Sequence, residues 1–187
     1  MKTPRLLFVI LLFAVSLFAL TAHATLLKQL TLETQVQQSA TIVKGIVVSS
    51  HTELRNKIPY TLSSVRIAES LKGSHTVNDI VTIRQRGGTV GQYEVHADGD
   101  PIIKAGTAYL MFLLPSKGEY VLSGMAQGLY TISTEKDTSV ISNEISTPRL
   151  DVKTGVITSG PILSPRPASE FINEVKALIR QQSPREN

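Results

Sequence analysis

The chain has 187 residues, 42% of them hydrophobic, and no cysteine, so disulfides are excluded and an exported domain must hold together by packing. Its 19 Lys and Arg stand against 15 Asp and Glu, a formal net charge of +4. No run of Lys and Arg marks a nucleic-acid or polybasic membrane patch, and the length fits one domain with a real core rather than two.

Lys2 and Arg5 precede an apolar run from Leu6 to Leu20, and Ala22-His23-Ala24 puts small residues at the positions a signal peptidase reads. That order of charge, greasy core and A-x-A site predicts a secretory signal peptide over 1–24, and the apolar part is shorter than the roughly 20 residues of a spanning helix. The mature chain would begin at Thr25, which has no thiol for a lipid anchor, and would be periplasmic or secreted without a membrane anchor. Losing Lys2 and Arg5 leaves 17 basic against 15 acidic residues, a net charge of +2, which argues against a nucleic-acid partner. Three of the five Phe fall in the leader, so the mature core must be mainly aliphatic.

Leu32, Val36 and Ala40 recur at helical spacing behind Thr31, a natural N-cap, and predict a short helix. The β-branched stretch from Ile42 to Ser50 predicts a first strand, bent at Gly45. A turn is expected over Arg55-Asn56-Lys57-Ile58-Pro59, then a long strand from Tyr60 to Leu71 and a third from Ile80 to Gln85 with Val81 and Ile83 inward. Gly87-Gly88-Thr89-Val90-Gly91 reads as a tight turn, Gln92 to His96 as a short edge strand, and Asp98-Gly99-Asp100-Pro101 as a polar bend. Tyr109 to Leu114 is apolar without alternation, as in a strand covered on both faces. Tyr120–Ala126 and Leu129–Ser133 are further extended pieces.

From Thr134 to Ala168 the chain is rich in Ser, Thr and Pro, with a loose hairpin expected around Val140 to Ile145 and an extended piece from Leu150 to Ile157. Ser169 can cap a helix over 169–182 that carries Phe171, Val175, Leu178 and Ile179 on one side. The predicted organisation is therefore mainly β: a small five- to six-stranded OB-like barrel over 25–133, an extended segment over 134–168 and a C-terminal amphipathic helix. A β-sandwich is the alternative.

A short helix leading into Ala40-Thr41-Ile42-Val43-Lys44-Gly45-Ile46-Val47, then Tyr60-Thr61, Leu71-Lys72-Gly73 and Ala105-Gly106-Thr107-Ala108-Tyr109-Leu110, resembles the netrin-like, tissue-inhibitor-of-metalloproteinases-like OB-fold. The outline is also similar to exported bacterial proteins of unassigned function that carry Gly87-Gly88 and Gln127-Gly128 motifs. The resemblance implies the fold and makes protease inhibition a candidate function. Those inhibitors chelate the protease zinc through a disulfide-fixed N-terminal cysteine; here Thr25 takes that place, and nothing in the sequence would hold it rigid.

Arg84 and Arg86 beside Gly87 and Gly88 are candidate contacts for an anionic or glycan ligand, with Gln127 in the second Gly-containing motif. The glycines lack the Lys-Ser/Thr and helix start of a phosphate loop. His96, Asp98 and Asp100 are candidate ligands for a divalent ion, against the plainer reading of a polar turn. His51, His75 and His96 show no helical metal-ligand spacing. Ser123 before Gly124 is not a nucleophile elbow, and neither Asp98 with Asp100 nor Glu69 with Glu94 is visibly convergent. No cofactor is implied. The sequence favours a non-catalytic exported binding module for a protein or glycan, with protease inhibition and hydrolysis through the acidic loop as alternatives.

Overall fold

The computed structural model describes residues 26–143, 145 and 147–182, with His96 as backbone only. The predicted signal peptide and Thr25 lie outside the described residues. No helix among the described residues is long and apolar enough to cross a membrane.

The chain is mainly β. A short strand β1 (Leu27–Lys28) leads to helix α1 (Leu32–Gln38), whose first turn is capped by the Thr31 hydroxyl accepting from the Thr34 amide at 3.1 Å. The long pair β2 (Thr41–Arg55) and β3 (Ile58–Lys72) meet through a two-residue turn at Asn56-Lys57, where φ is 52° and 65°. Positive φ at both positions is the hairpin geometry that matches strand twist. The expected five-residue turn is thus shorter, and Pro59 belongs to β3, beyond the Tyr60–Arg86 pair where β4 (Ile80–Val90) stops pairing with β3. A proline missing its N–H is tolerated where no neighbour needs it.

Gly87 and Gly88, expected in a turn, lie inside β4 and pair with β5 (Tyr93–His96), so the turn is the two residues Gly91-Gln92. After the 97–107 loop come β6 (Ala108–Ser116), β7 (Glu119–Leu122), a 3₁₀ turn at Met125–Gly128, β8 (Leu129–Glu135) and β9 (Thr138–Asn143). The hairpin expected around Val140–Ile145 instead turns at Lys136-Asp137, with φ 46° and 63°. Short strands β10 (Arg149–Leu150) and β11 (Ile157–Thr158) form a small sheet with β1, while β12 (Leu163–Pro167) pairs with β9. The Ser/Thr/Pro-rich stretch therefore supplies strands to both sheets. Helix α2 (Ala168–Gln182) is the last of the described elements.

The main sheet runs β12-β9-β8-β6-β2-β3-β4-β5, and β7 bridges β6 and β4. This bridge makes a ring of β2, β3, β4, β7 and β6, closed by a single parallel pair, Ile83 with Tyr120. The register of β2 against β3 shifts between Lys44 and Gly45, where a Cβ on Gly45 would come within 2.6 Å of Val65 Cγ1.

Two cores share β6. Tyr109, Met111 and Leu113 join Val43, Val65, Ile67, Val81 and Ile83 on the ring's inner side. Leu110 and Phe112 face the other way, under Val36 of α1 and Phe171, Ile172 and Val175 of α2. That double burial explains why Tyr109–Leu114 lacks alternation. In the second core the Tyr130 hydroxyl donates to Gln35 Oε1 at 3.1 Å and its ring lies 4.8 Å from that of Phe171. Burial pushes the Tyr130 phenol well above its ordinary range, so it stays a neutral donor.

Candidate functional site

The candidate site is a cleft of about 220 Å³ where β2, β3 and the β4–β5 hairpin meet the 97–103 loop. Ser50 and Thr52 of β2, Thr61 of β3, Gln85, Arg86, Gly87, Gly88 and Thr89 of β4, and Asp100 all line it. The backbone sets these positions. Beyond Arg86, β4 leaves β3 and pairs with β5, and the chain must pass very close to its neighbours there. Gly88 has φ 130°, and a Cβ on it would meet the hydroxyls of Thr52 and Thr61 at 2.4 Å. A Cβ on Gly87 would meet the Val95 carbonyl at 2.3 Å. The glycines allow the strand to cross rather than cradle a phosphate.

Gln85 stands in the inward register of Val81 and Ile83, yet it is polar and only 7% exposed. Its Nε2 donates to the Pro101 carbonyl at 2.7 Å, which ties the 97–103 loop to β4. The Thr61 hydroxyl donates to the Gly87 carbonyl at 2.9 Å, and Ser50 shares a 2.8 Å hydrogen bond with Ser63. Asp100 accepts from the Arg86 backbone amide at 3.3 Å on Oδ2. Burial raises the pKa of its carboxyl, opposed by that amide and by the Arg86 guanidinium acting at a distance. Asp100, Pro101 and Ile102 also line a second cavity of about 450 Å³, between the loop and Tyr109, Leu129 and Thr131. The loop is a wall between two hollows.

Arg86, Gly87, Gly88 and Asp100, of the residues singled out from sequence, meet in the cleft. Arg84 does not join them. Its Nε lies 2.9 Å from Glu119 Oε2, its guanidinium donates to Ser116 Oγ at 2.8 Å and it stacks 5.1 Å from the Tyr60 ring centroid. Arg55 grips the same Glu119 with two hydrogen bonds, at 2.6 and 3.0 Å, and also pairs with Glu53. This cluster ties together the strand ends where the ring closes and holds the Glu119 carboxyl below its ordinary range, chiefly through Arg55.

Gln127 does not line the cleft. It is 1% exposed, its Nε2 donates to the Lys28 carbonyl at 2.9 Å and its Oε1 accepts from the Leu30 amide at 3.0 Å. Its role is to fasten the segment before α1. Asp98 is exposed at the bend, and the His96 backbone pairs with Gly87. Among the described residues no three His, Asp or Glu side chains come together as a metal site. Glu69 pairs with Lys176 of α2 at 2.6 Å, whereas Glu94 lines the cleft. Sequence reasoning missed Gln85, Thr52 and Thr61; a polar residue at an inward strand position was the available signal for Gln85.

No protein-family model matches the chain, and no curated protein shows significant similarity to it.

Proposed function

We propose that the chain is an exported, non-catalytic binding module of OB-like build that takes a ligand in the Gly87–Gly88 cleft. The OB-like reading draws support from the five-strand ring and its parallel closure at Ile83 and Tyr120. Export rests on the charge, apolar run and A-x-A order of the first 24 residues.

The observation that carries the binding reading is the cleft itself. It is a concave, hydroxyl-lined space where convergent polar groups meet a carboxyl with a shifted pKa, and such groupings mark ligand sites. Beside it Tyr93 is 78% exposed and shares a face of β5 with Val95, which lines the cleft. An exposed aromatic next to hydroxyls fits a glycan or a peptide ligand.

The test is capture from native medium and envelope extract, with proteins and sugars both identified. Thr89 is exposed at the cleft, so Thr89→Trp fills it without disturbing a core. The wild type is expected to retain ligands that Thr89→Trp loses, at equal thermal stability. Identical capture by the two rejects the cleft.

Protease inhibition is a second reading, favoured by one observation. Leu27 and Gln29 donate to the carbonyls of Pro148 and Leu150 at 3.0 and 2.8 Å, so the chain is fixed two residues after the expected mature N-terminus. Incubation with a panel of metalloproteases tests it, and no inhibition at micromolar protein removes it.

A further inference from the structure

We propose that the cleft binds the protonated amine of an amino-sugar unit, with Asp100 and Gln85 as the acceptors; this rests on the cleft being the ligand site. The Gln85 amide nitrogen is committed to Pro101, the Thr61 hydroxyl donates to Gly87, and Ser50 is paired with Ser63. What Gln85 and Asp100 still offer on the cleft wall, among the described residues, is acceptors. Gln85 is only 7% exposed in the cleft wall and its Oε1 receives no donor from the described residues, and Asp100 receives one backbone amide on a single oxygen. A ligand that fits must donate, and an ammonium group carries three donors and no acceptor.

Charge points the same way. The Asp100 carboxylate is drawn out of water, and burial is the main influence on its titration. A cation in contact restores its preference for the ionised form. The other charged or titratable groups lining the cleft are Arg86, Glu94 and His51; Arg86 is exposed, its backbone amide donates to Asp100, and its guanidinium acts on that carboxyl at a distance as the weakest of the influences on it.

The rest of the lining selects the carrier of the amine. The hydroxyls of Thr52 and Thr89 sit with Ala97, Ile102 and Ile103 in one small space. Mixed hydroxyl and apolar walls suit a sugar ring, which presents both, better than the methylene stem of a lysine. At about 220 Å³ the cleft is smaller than drug-sized sites and takes one ring-sized unit, with Tyr93 placed for a neighbouring unit.

The experiment titrates the isotope-labelled mature protein with glucosamine tetramer and with N-acetylglucosamine tetramer at about pH 5.5, where a free amine is protonated. The free amine should bind at least about tenfold tighter than the acetylated sugar, with shifts at Gln85–Thr89, and Asp100→Asn should erase that difference without lowering Tm. Equal affinities for the two sugars, with shifts in the cleft, overturn the amine assignment and leave the cleft reading standing. Binding of neither sugar also overturns it, and the Thr89→Trp capture comparison then decides the cleft reading separately. Tighter binding by a lysine tripeptide than by the glucosamine tetramer overturns the choice of a sugar.

Discussion

Gln85 donates its side-chain amide to the Pro101 carbonyl at 2.7 Å, joining a strand of the inner core to the loop that walls both cavities. The bond makes cleft shape depend on a residue that is buried and also lines the cleft. Replacing Gln85 with Ala should cost about 1–3 kcal/mol, because the half-buried Pro101 carbonyl loses its partner and the loop loses its tie. Urea unfolding measures the cost, and amide exchange at Ile102 and Ile103 should quicken with it.

The crossing at Gly88 should tolerate no side chain. Gly88→Ala meets two threonine hydroxyls at a backbone angle that L-residues avoid, and should cost about 2–4 kcal/mol. Gly91 also has positive φ, 59°, but nothing lies within 4 Å of a Cβ there. Gly91→Ala should cost only about 1 kcal/mol, and the difference between the two in urea unfolding isolates the close approach from backbone strain.

How far the sequence revealed this arrangement depends on the range of the interaction involved. The β6 run, the Gly45 bend and the inward Val81 and Ile83 were legible because they reflect local period and burial. The place of Gly87 and Gly88 was not. Two glycines in succession look like a turn, and only the distant Thr52, Thr61 and Val95 require them within a strand. Arg84 looked available because its partner Glu119 belongs to the strand that closes the ring. Gln127 looked like part of a binding motif because its partners, Lys28 and Leu30, precede it by almost the whole domain. Asp100 was named as a metal ligand from its neighbours His96 and Asp98; that it lines a cleft and accepts the Arg86 backbone amide depends on contacts the local sequence does not show.

Two carboxyls should give stability opposite slopes with pH. Asp100 has a raised folded pKa, so its contribution is fully present below the unfolded value and is lost as pH rises through the folded one. Asp100→Asn should therefore raise Tm at pH 7 and leave it unchanged near pH 3. Glu119 has a lowered folded pKa, so its contribution is present above the unfolded value of about 4.3 and is lost as pH falls through the folded one. Glu119→Gln should lower Tm at pH 7 and have less effect in acid. Thermal melts of both variants across that range check the signs.

The fastening of the segment before α1 predicts a local effect. Gln127→Leu removes both the donor to Lys28 and the acceptor for Leu30, and should cost about 2–3 kcal/mol. Hydrogen exchange should show lost protection at Leu30 while amides of β6 stay slow.

The cleft as the ligand site is tested most directly by mapping amide shifts of the mature protein against a panel of neutral, amino and acidic oligosaccharides and the peptides recovered by capture. The account predicts saturable shifts concentrated at Thr52, Thr61, Gln85–Thr89 and Asp100–Ile103, and absent in Thr89→Trp. Saturable shifts confined to another face, unchanged by Thr89→Trp, would contradict it.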